Sequence, residues 1–462
     1  MVFSSLFFMF VFFPIVFLAY FLMPRRGRNL VLLIASLVFY AWGEPKYIVL
    51  MLLSIVVNYV LVLLMEKNPN QKKILFMVAL LFNLGLLGFF KYYDFFIENV
   101  NYLFHLSLEG QHIPLPIGIS FYTFQILSYV TDAYTGKTKA QQNIISFALY
   151  VTMFPQLVAG PIVKYTDIQI QLSERQESFE KIGLGAERFI AGLAKKVLLA
   201  NTIGYLFTTI QEMEFGSLSV LTAWLGMIAF TLQIYFDFSG YSDMAIGLGK
   251  MFGFDFLENF NDPYISKSVT EFWRRWHISL GGWFREYVYI PLGGNRLGIK
   301  KQIRNLLIVW LLTGLWHGAS WNFVIWGVYY GVLLFIEKII LKQWLEKWPS
   351  WLRHAYTLIL VIIGWTFFSI ENLGDAFSYL KVMFGFSGHA LYDKTSMYYL
   401  MSYGLLLILG VICSTPLLKQ IQMTLKSTKW GGLLLVVQVT LLLLSTAYLV
   451  TTTYNPFLYF RF

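Results

Sequence analysis

The sequence predicts an all-α, polytopic membrane protein, and three observations carry that prediction. Hydrophobic residues make up 57% of the 462 positions and charged residues only 13%, about half the charged share of a soluble domain. Apolar runs of the length needed to cross a bilayer, about 20 residues each, recur along the chain. The basic residues sit in short loops between those runs. The net charge of +10 then reflects the bias of cytoplasmic loops toward Lys and Arg. No continuous basic stripe exists, so nucleic-acid binding is not expected. One cysteine, Cys413, excludes an intramolecular disulfide and a cysteine metal site, and is expected to be a small buried apolar residue.

From Met1 to Met23 no residue is charged. A cleavable signal would carry a basic start and a small-residue cleavage site, so this segment reads as a retained first helix. Further spans are expected at 29–43, 47–65 and 74–90. Arg25, Arg26 and Arg28, then Lys67, Lys72 and Lys73, mark two strongly basic loops, which positive-inside reasoning places in the cytoplasm. Residues 91–115 read as an aromatic, amphipathic interface segment. A hydrophobic stretch at 117–135 carries Ser120, Tyr122, Thr123, Gln125 and Asp132, and a run at 143–163 is interrupted by Pro155, Gly160 and Pro161. Helix breakers at membrane depth need protein or a cavity to satisfy the backbone, so both stretches should pack inside the bundle or be re-entrant. A polar connection at 164–187 leads to apolar runs at 189–209, 217–236 and 240–254, and later to 355–370, 397–415 and 431–453. The count is about eleven spans, plus re-entrant or interfacial helices. The bilayer stands in for separate cores, so residues 1–462 read as one membrane domain, with N-terminal helices at 1–90, a core at 115–345 and C-terminal helices at 355–462. The aromatic tail from Tyr454 to Phe462 suits an interface.

Ionisable residues in such a chain mark candidate chemistry, and they form three clusters. Asp237 and Asp243 lie six residues apart in a hydrophobic stretch with Ser239 and Gly240 between them. They suggest a helix break or tight packing, as site groups or as carboxylates satisfied by a helix N-terminus or hydroxyls. The second cluster runs from Glu271 to Ser279. At helical spacing Trp273, Trp276 and His277 share a face, flanked by Arg274 and Arg275. Arg and Trp suit a headgroup anchor, but that reading does not require the histidine. Arginines at a cytoplasmic entrance could also attract an anionic cosubstrate such as coenzyme A.

The third cluster is Thr313 to Asn322, with Trp316, His317 and Gly318 at its centre. Basic residues flank it: Lys300, Lys301 and Arg304 before, Lys338 and Lys342 after. If both flanks are cytoplasmic, 305–337 must enter and return on legs of about 15 residues, or roughly 22 Å at 1.5 Å per residue. That is short of the ~30 Å hydrocarbon core, so the turn bearing His317 should lie past mid-membrane without reaching the far side. Gly314 and Gly318 permit close approach or unusual backbone there. A buried imidazole is held neutral and can serve as a general base toward a hydroxyl; it can equally be a packed, hydrogen-bonded core residue. No Walker loop, dinucleotide fingerprint or Gly-X-Ser-X-Gly motif occurs. His105, His112, His354 and His389 are scattered, so no metal is expected.

These clusters, in this order, resemble the membrane-bound O-acyltransferase family, in particular its bacterial alginate O-acetylation branch. So do the segments from Met1 to Ser5, Phe39 to Pro45, Gly118 to Gln125, Phe154 to Pro161, Tyr235 to Asp243 and Trp273 to His277, and the terminal aromatic hexapeptide. The resemblance runs from end to end. It implies a ring of tilted helices around a central funnel, with His317 as the family histidine and His277 as its catalytic partner. Arg274, Arg275, Trp276, Trp316, Tyr122, Gln125, Asp237 and Asp243 become candidates to line the substrate or donor tunnel. It further implies acetyl-CoA as acyl donor, an SGNH-type extracytoplasmic acetyltransferase as partner, a polysaccharide acceptor and residence in the bacterial plasma membrane. The teichoic-acid branch, which handles D-alanine, is one alternative. A polysaccharide-precursor transporter is another, but matching halves with paired broken helices are not found. A non-catalytic scaffold is a third.

Overall fold

The computed structural model describes all residues except 158, 159, 429, 453, 454, 456 and 459–462. Among the described residues the chain is helices joined by turns, without a β-strand. Eight of these helices are long and apolar enough to cross a bilayer, and shorter apolar helices such as Phe8–Leu22 accompany them. The all-α polytopic reading holds, with fewer long spans than the eleven or so expected. Val158 and Ala159 of the Phe154 to Pro161 segment, and most of the Tyr454 to Phe462 tail, lie outside the described residues.

Several boundaries differ from expectation. The runs at 217–236 and 240–254 are one continuous helix, Val220–Met251. Gly240 does not break it; a Cβ there would meet the carbonyl oxygen of Gly192 at 2.7 Å, so glycine is needed for close packing. The helix expected at 74–90 runs from Lys72 to Phe104, so half of the supposed interface segment extends a long helix. The amphipathic pattern was real, but it belonged to that helix's own continuation. Cys413 is half-buried in the last turn of Lys394–Cys413, since that helix keeps much of its apolar side chain surface outward.

The chain divides into two compact units: Met1–Phe189 with Ser242–Leu257, and Ile190–Tyr241 with Glu258–Phe462. In the first, the helices Ile48–Lys67 and Lys72–Phe104 are joined by a reciprocal amide pair. Asn58 Nδ2 donates to Asn83 Oδ1 at 3.1 Å and Asn83 Nδ2 donates to Asn58 Oδ1 at 2.7 Å. Each such bond between membrane helices is worth about 0.6 kcal/mol on average. The Ile119–Thr135 helix is buried nearly throughout and is bounded by Gly118 (φ 75°) and Gly136 (φ 80°). Gly136 ends it in the left-handed conformation, where a Cβ is penalised. The interruption expected near Pro155 is present: Ile144–Thr152 stops at an extended Met153. Asp243, a candidate site residue, pairs with Arg188 at 2.9 Å.

A second network closes the start of this unit. Tyr20 donates to Glu177 Oε1 at 2.5 Å, Arg28 pairs with the same carboxylate at 2.8 Å, and Arg175 Nε donates to Tyr20 Oη at 2.7 Å. Burial by itself raises the Glu177 carboxyl, but the bonds from Tyr20 and Arg28 outweigh it and hold the group below its ordinary value.

In the second unit the strongest packing is between Ile299–His317 and Trp321–Ile336. Gly314 lies against the Phe323 carbonyl and Gly327 against the Trp310 carbonyl, leaving no room for a methyl at either. The two legs are unequal. From Asn305 to His317 the apolar arm is short, whereas the returning leg continues through a π turn, Glu337–Leu341, and on to Lys347 as a 27-residue helical run. The return leg thus exceeds the 15 residues expected, because its helix carries on past the basic flank at Lys338 rather than stopping at it.

Two outcomes test these packings. The Glu177 bond contributes stability at neutral pH that disappears as pH falls through the depressed carboxyl value. Melting temperatures of wild type and Glu177→Gln in detergent should therefore keep their gap down to about pH 5 and converge only as pH falls below 4.5, the ordinary glutamate value; a gap that persists unchanged well below it would contradict the assignment. Gly314→Val should lower thermal stability by about 1–3 kcal/mol or more through overpacking against the Phe323 carbonyl, read as a lower melting temperature of the purified protein; an unchanged one would rule out tight packing there.

Candidate active site

His317 is the last residue of the Ile299–His317 helix, and Gly318 leaves it in extended conformation. Its ring is enclosed by aromatic edges and faces. Ring centroids lie 5.0 Å from Trp316, 5.0 Å from Trp326 and 5.2 Å from Phe368, and the side chain is only 4% exposed. Trp326 comes from the returning helix and Phe368 from the Ser350–Ser369 helix. The tip is fastened to the latter by Asn322 Nδ2, which donates to the Phe367 carbonyl at 3.2 Å. The expected close approach at the glycines is observed, since a side chain at Gly318 would collide with the Phe323 ring.

His277 does not share a helix face with Trp273 and Trp276. The helix is Val269–Arg275, Trp276 is extended, and His277 has φ 47°, in the left-handed region. Such backbone is uncommon for a non-glycine residue and costs roughly 1–2 kcal/mol. It persists because Asn259 organises it. Asn259 Oδ1 accepts from Ser279 N (3.3 Å) and Ser279 Oγ (2.9 Å), while the Asn259 carbonyl accepts from Ile278 N (3.0 Å). The same Oδ1 lies 3.1 Å from His277 Nδ1. An oxygen already accepting from a backbone N–H can only accept again, so His277 Nδ1 carries the hydrogen and Nε2 the lone pair. His277 lies between the long apolar spans, and burial pushes it down to about 3 from the ordinary imidazole value. Its ring is therefore neutral.

Trp316 joins the two histidines, with its ring 5.9 Å from His277 and 5.0 Å from His317. Phe238 meets the His277 ring edge-on at 4.7 Å. Trp276 packs on Trp365 at 4.9 Å and Phe260 at 5.1 Å, while Trp273 packs on Trp310 at 4.7 Å, Tyr330 at 4.8 Å and Trp326 at 5.4 Å. Both tryptophans are thus core residues of the second unit, and the belt-anchor reading does not describe them.

The other sequence candidates separate. Arg274 is exposed. Arg275 is engaged locally, with Nε 3.0 Å from Glu271 Oε1 and a terminal nitrogen donating to the Asn261 carbonyl. Asp237 forms an ion pair with Lys196 at 2.6 Å, both side chains at most 3% exposed, and also accepts from Leu458 N at 2.9 Å. Removing one member of such a buried pair costs about 3–5 kcal/mol. Asp237 and Asp243 each find a cation on a neighbouring helix. Tyr122 and Gln125 are buried in the Ile119–Thr135 helix of the first unit. Among the described residues no group of three or more His, Cys, Asp or Glu side chains is placed to hold a metal ion. Asn259, Phe238, Trp326 and Phe368 were not singled out from sequence. Asn259 stands 18 residues before His277, outside any helical spacing rule that could have linked them.

A buried imidazole pair within an aromatic enclosure suits proton handling at a hydroxyl or thioester. The sequence profile of the membrane-bound O-acyltransferase family matches residues 40–374, a stretch that includes both histidines. The chain is 44% identical to a probable alginate O-acetylase, AlgI, of Azotobacter vinelandii over 403 residues, covering 85% of this chain and 80% of that protein. It is 37% identical to a peptidoglycan O-acetyltransferase of Helicobacter pylori, covering 85% and 81%. A teichoic acid D-alanyltransferase of Bacillus subtilis is 30% identical over 55% of this chain and 68% of its own length. With its apolar helices and a family match over most of its length, the chain is a multi-pass acyltransferase and belongs to the membrane-bound O-acyltransferase family.

Proposed function

We propose that the protein transfers an acetyl group from acetyl-CoA in the cytoplasm toward O-acetylation of a polysaccharide on the far side of a bacterial plasma membrane. The observation that carries this reading is the pairing of two buried histidines through Trp316. Similarity to O-acetylases over most of the chain supports acetyl as the group moved. The D-alanyl alternative has the weaker support, because that similarity covers little more than half the chain.

Acyl transfer needs a hydroxyl made nucleophilic and a thiolate allowed to leave. His317 takes the hydroxyl proton as the oxygen attacks the thioester carbonyl; the carbon–sulfur bond breaks and the thiol recovers a proton. Alternatively His317 carries the acetyl transiently. His277, held far below neutral basicity, is a weak base. Its Nε2 lone pair serves to orient a hydroxyl or thiol hydrogen near the reacting centre. Exposed Arg274 is the residue we assign to attract the donor's phosphates, in the cytoplasm-facing role expected for Arg274 and Arg275. Tyr122, Gln125, Asp237 and Asp243 are then structural supports rather than groups in contact with substrate. An SGNH-type extracytoplasmic partner would receive the acetyl group and complete the transfer to glycan.

His317→Ala and His277→Ala should insert normally and lose acetyl transfer in proteoliposomes given labelled acetyl-CoA and the partner. Full activity in His317→Ala would overturn the assignment. Asn259→Leu should lower activity by roughly 10–100-fold, the size expected when a supporting hydrogen bond to a site histidine is lost. Turnover measured beside wild type checks this, and unchanged turnover would remove Asn259 from the site.

A further inference from the structure

The buried carboxylate of Glu337 stands apart from the histidines in sequence yet holds the segment that delivers one of them. It lies in the π turn Glu337–Leu341, where an extra residue is inserted into the returning helix. Its side chain is 4% exposed. One carboxylate oxygen accepts from Val269 N at 2.6 Å. The other accepts from Thr270 N at 2.8 Å and Thr270 Oγ1 at 2.7 Å. Ser268 Oγ meanwhile accepts from Glu271 N at 3.0 Å. The first three backbone donors of the Val269–Arg275 helix are therefore all satisfied, two of them by a carboxylate from another helix.

A seven-residue helix is too short to be stable alone. Its position is imposed by its caps and by the tryptophans packed along it. It ends two residues before His277, and the rigid link through Trp276 carries any tilt of its axis to the imidazole. The same returning helix also packs against the arm ending in His317 and supplies Trp326 to that ring. Glu337 is thus the point at which the support of one histidine is fastened to the support of the other.

We propose that Glu337 is a positioning residue that sets His277 relative to His317, acting through the Val269–Arg275 helix. This rests on the reading that both histidines take part in acyl transfer. Glu337→Gln keeps the size but puts an NH2 group against backbone donors, so at least one bond is lost and the helix shifts. Glu337→Asp keeps both acceptor oxygens on a shorter stem.

The test uses purified full-length protein in proteoliposomes with the partner and labelled acetyl-CoA. Glu337→Gln should lower kcat by up to ~100-fold, the scale of a misplaced reacting group, while the KM for acetyl-CoA stays at the wild-type value. Glu337→Asp should recover part of the lost kcat. In an Asn259→Leu background, where His277 is already loosened, Glu337→Gln should cost much less than it does in wild type. Wild-type kcat in Glu337→Gln would overturn the proposal, as would equal factors in the two backgrounds. If Glu337→Gln does not accumulate, the comparison of the two backgrounds is made with Glu337→Asp, where a smaller factor in the Asn259→Leu background supports the proposal and equal factors overturn it. His277→Ala with full activity would overturn the underlying functional reading. A defective His277→Ala beside independent Glu337 and Asn259 effects would overturn only the role of Glu337.

Discussion

A polar group moved from water into an apolar interior costs several kcal/mol unless a protein partner replaces its lost hydrogen bonds. The architecture around the histidines depends on that constraint. Asn259 Oδ1 gathers donors from His277 and Ser279, and Glu337 gathers three more from the start of a short helix. Asp237 and Lys196 neutralise each other. In each case a side chain distant in sequence completes a group that local structure leaves open. These polar contacts are few, so each fixes a direction that the surrounding apolar packing would leave loose.

Aromatic rings fill the space between those polar fixtures. Trp273, Trp276, Trp316, Trp326 and Trp365 have two torsions each and large contact areas, so they order at small entropic cost. Their edge-to-face, tilted and stacked contacts link His317 and Trp276 in one continuous cluster. A dry enclosure strengthens electrostatic interactions at a reacting centre and keeps water from a thioester. The left-handed conformation of His277 stores a small strain in this setting, held by the fixed bonds of Asn259 on one side and the tryptophan packing on the other.

The same economy appears where helices approach closely. Gly240 against Gly192, and Gly314 against the Phe323 carbonyl, bring backbones together where lipid offers no hydrophobic drive for association. The Asn58 and Asn83 amides serve the first unit in the same way. The long helices that remain largely exposed, such as Gly431–Thr451, have apolar side chains around most of their circumference, as lipid-facing segments require.

Composition and run length by themselves determined that this chain is helical and membrane-embedded, because a bilayer admits only helices or closed barrels and demands apolar residues over a set length. Motif order determined the family, and the Thr313 to Asn322 cluster singled out His317 with its glycine-assisted turn. What sequence could not determine were contacts between residues far apart along the chain. Helical spacing put His277 on a face with Trp273, yet the helix stops at Arg275 and Asn259 turns the histidine elsewhere. Gly240 read as a helix break or a point of tight packing, and the carbonyl of Gly192 decides for packing. For Asp237 and Asp243 the sequence left site group and structural carboxylate both open, and only the fold put Lys196 and Arg188 beside them. Periodicity records which side chains share a helix face. Partner identity depends on how the helices pack, and only the tertiary structure decided that.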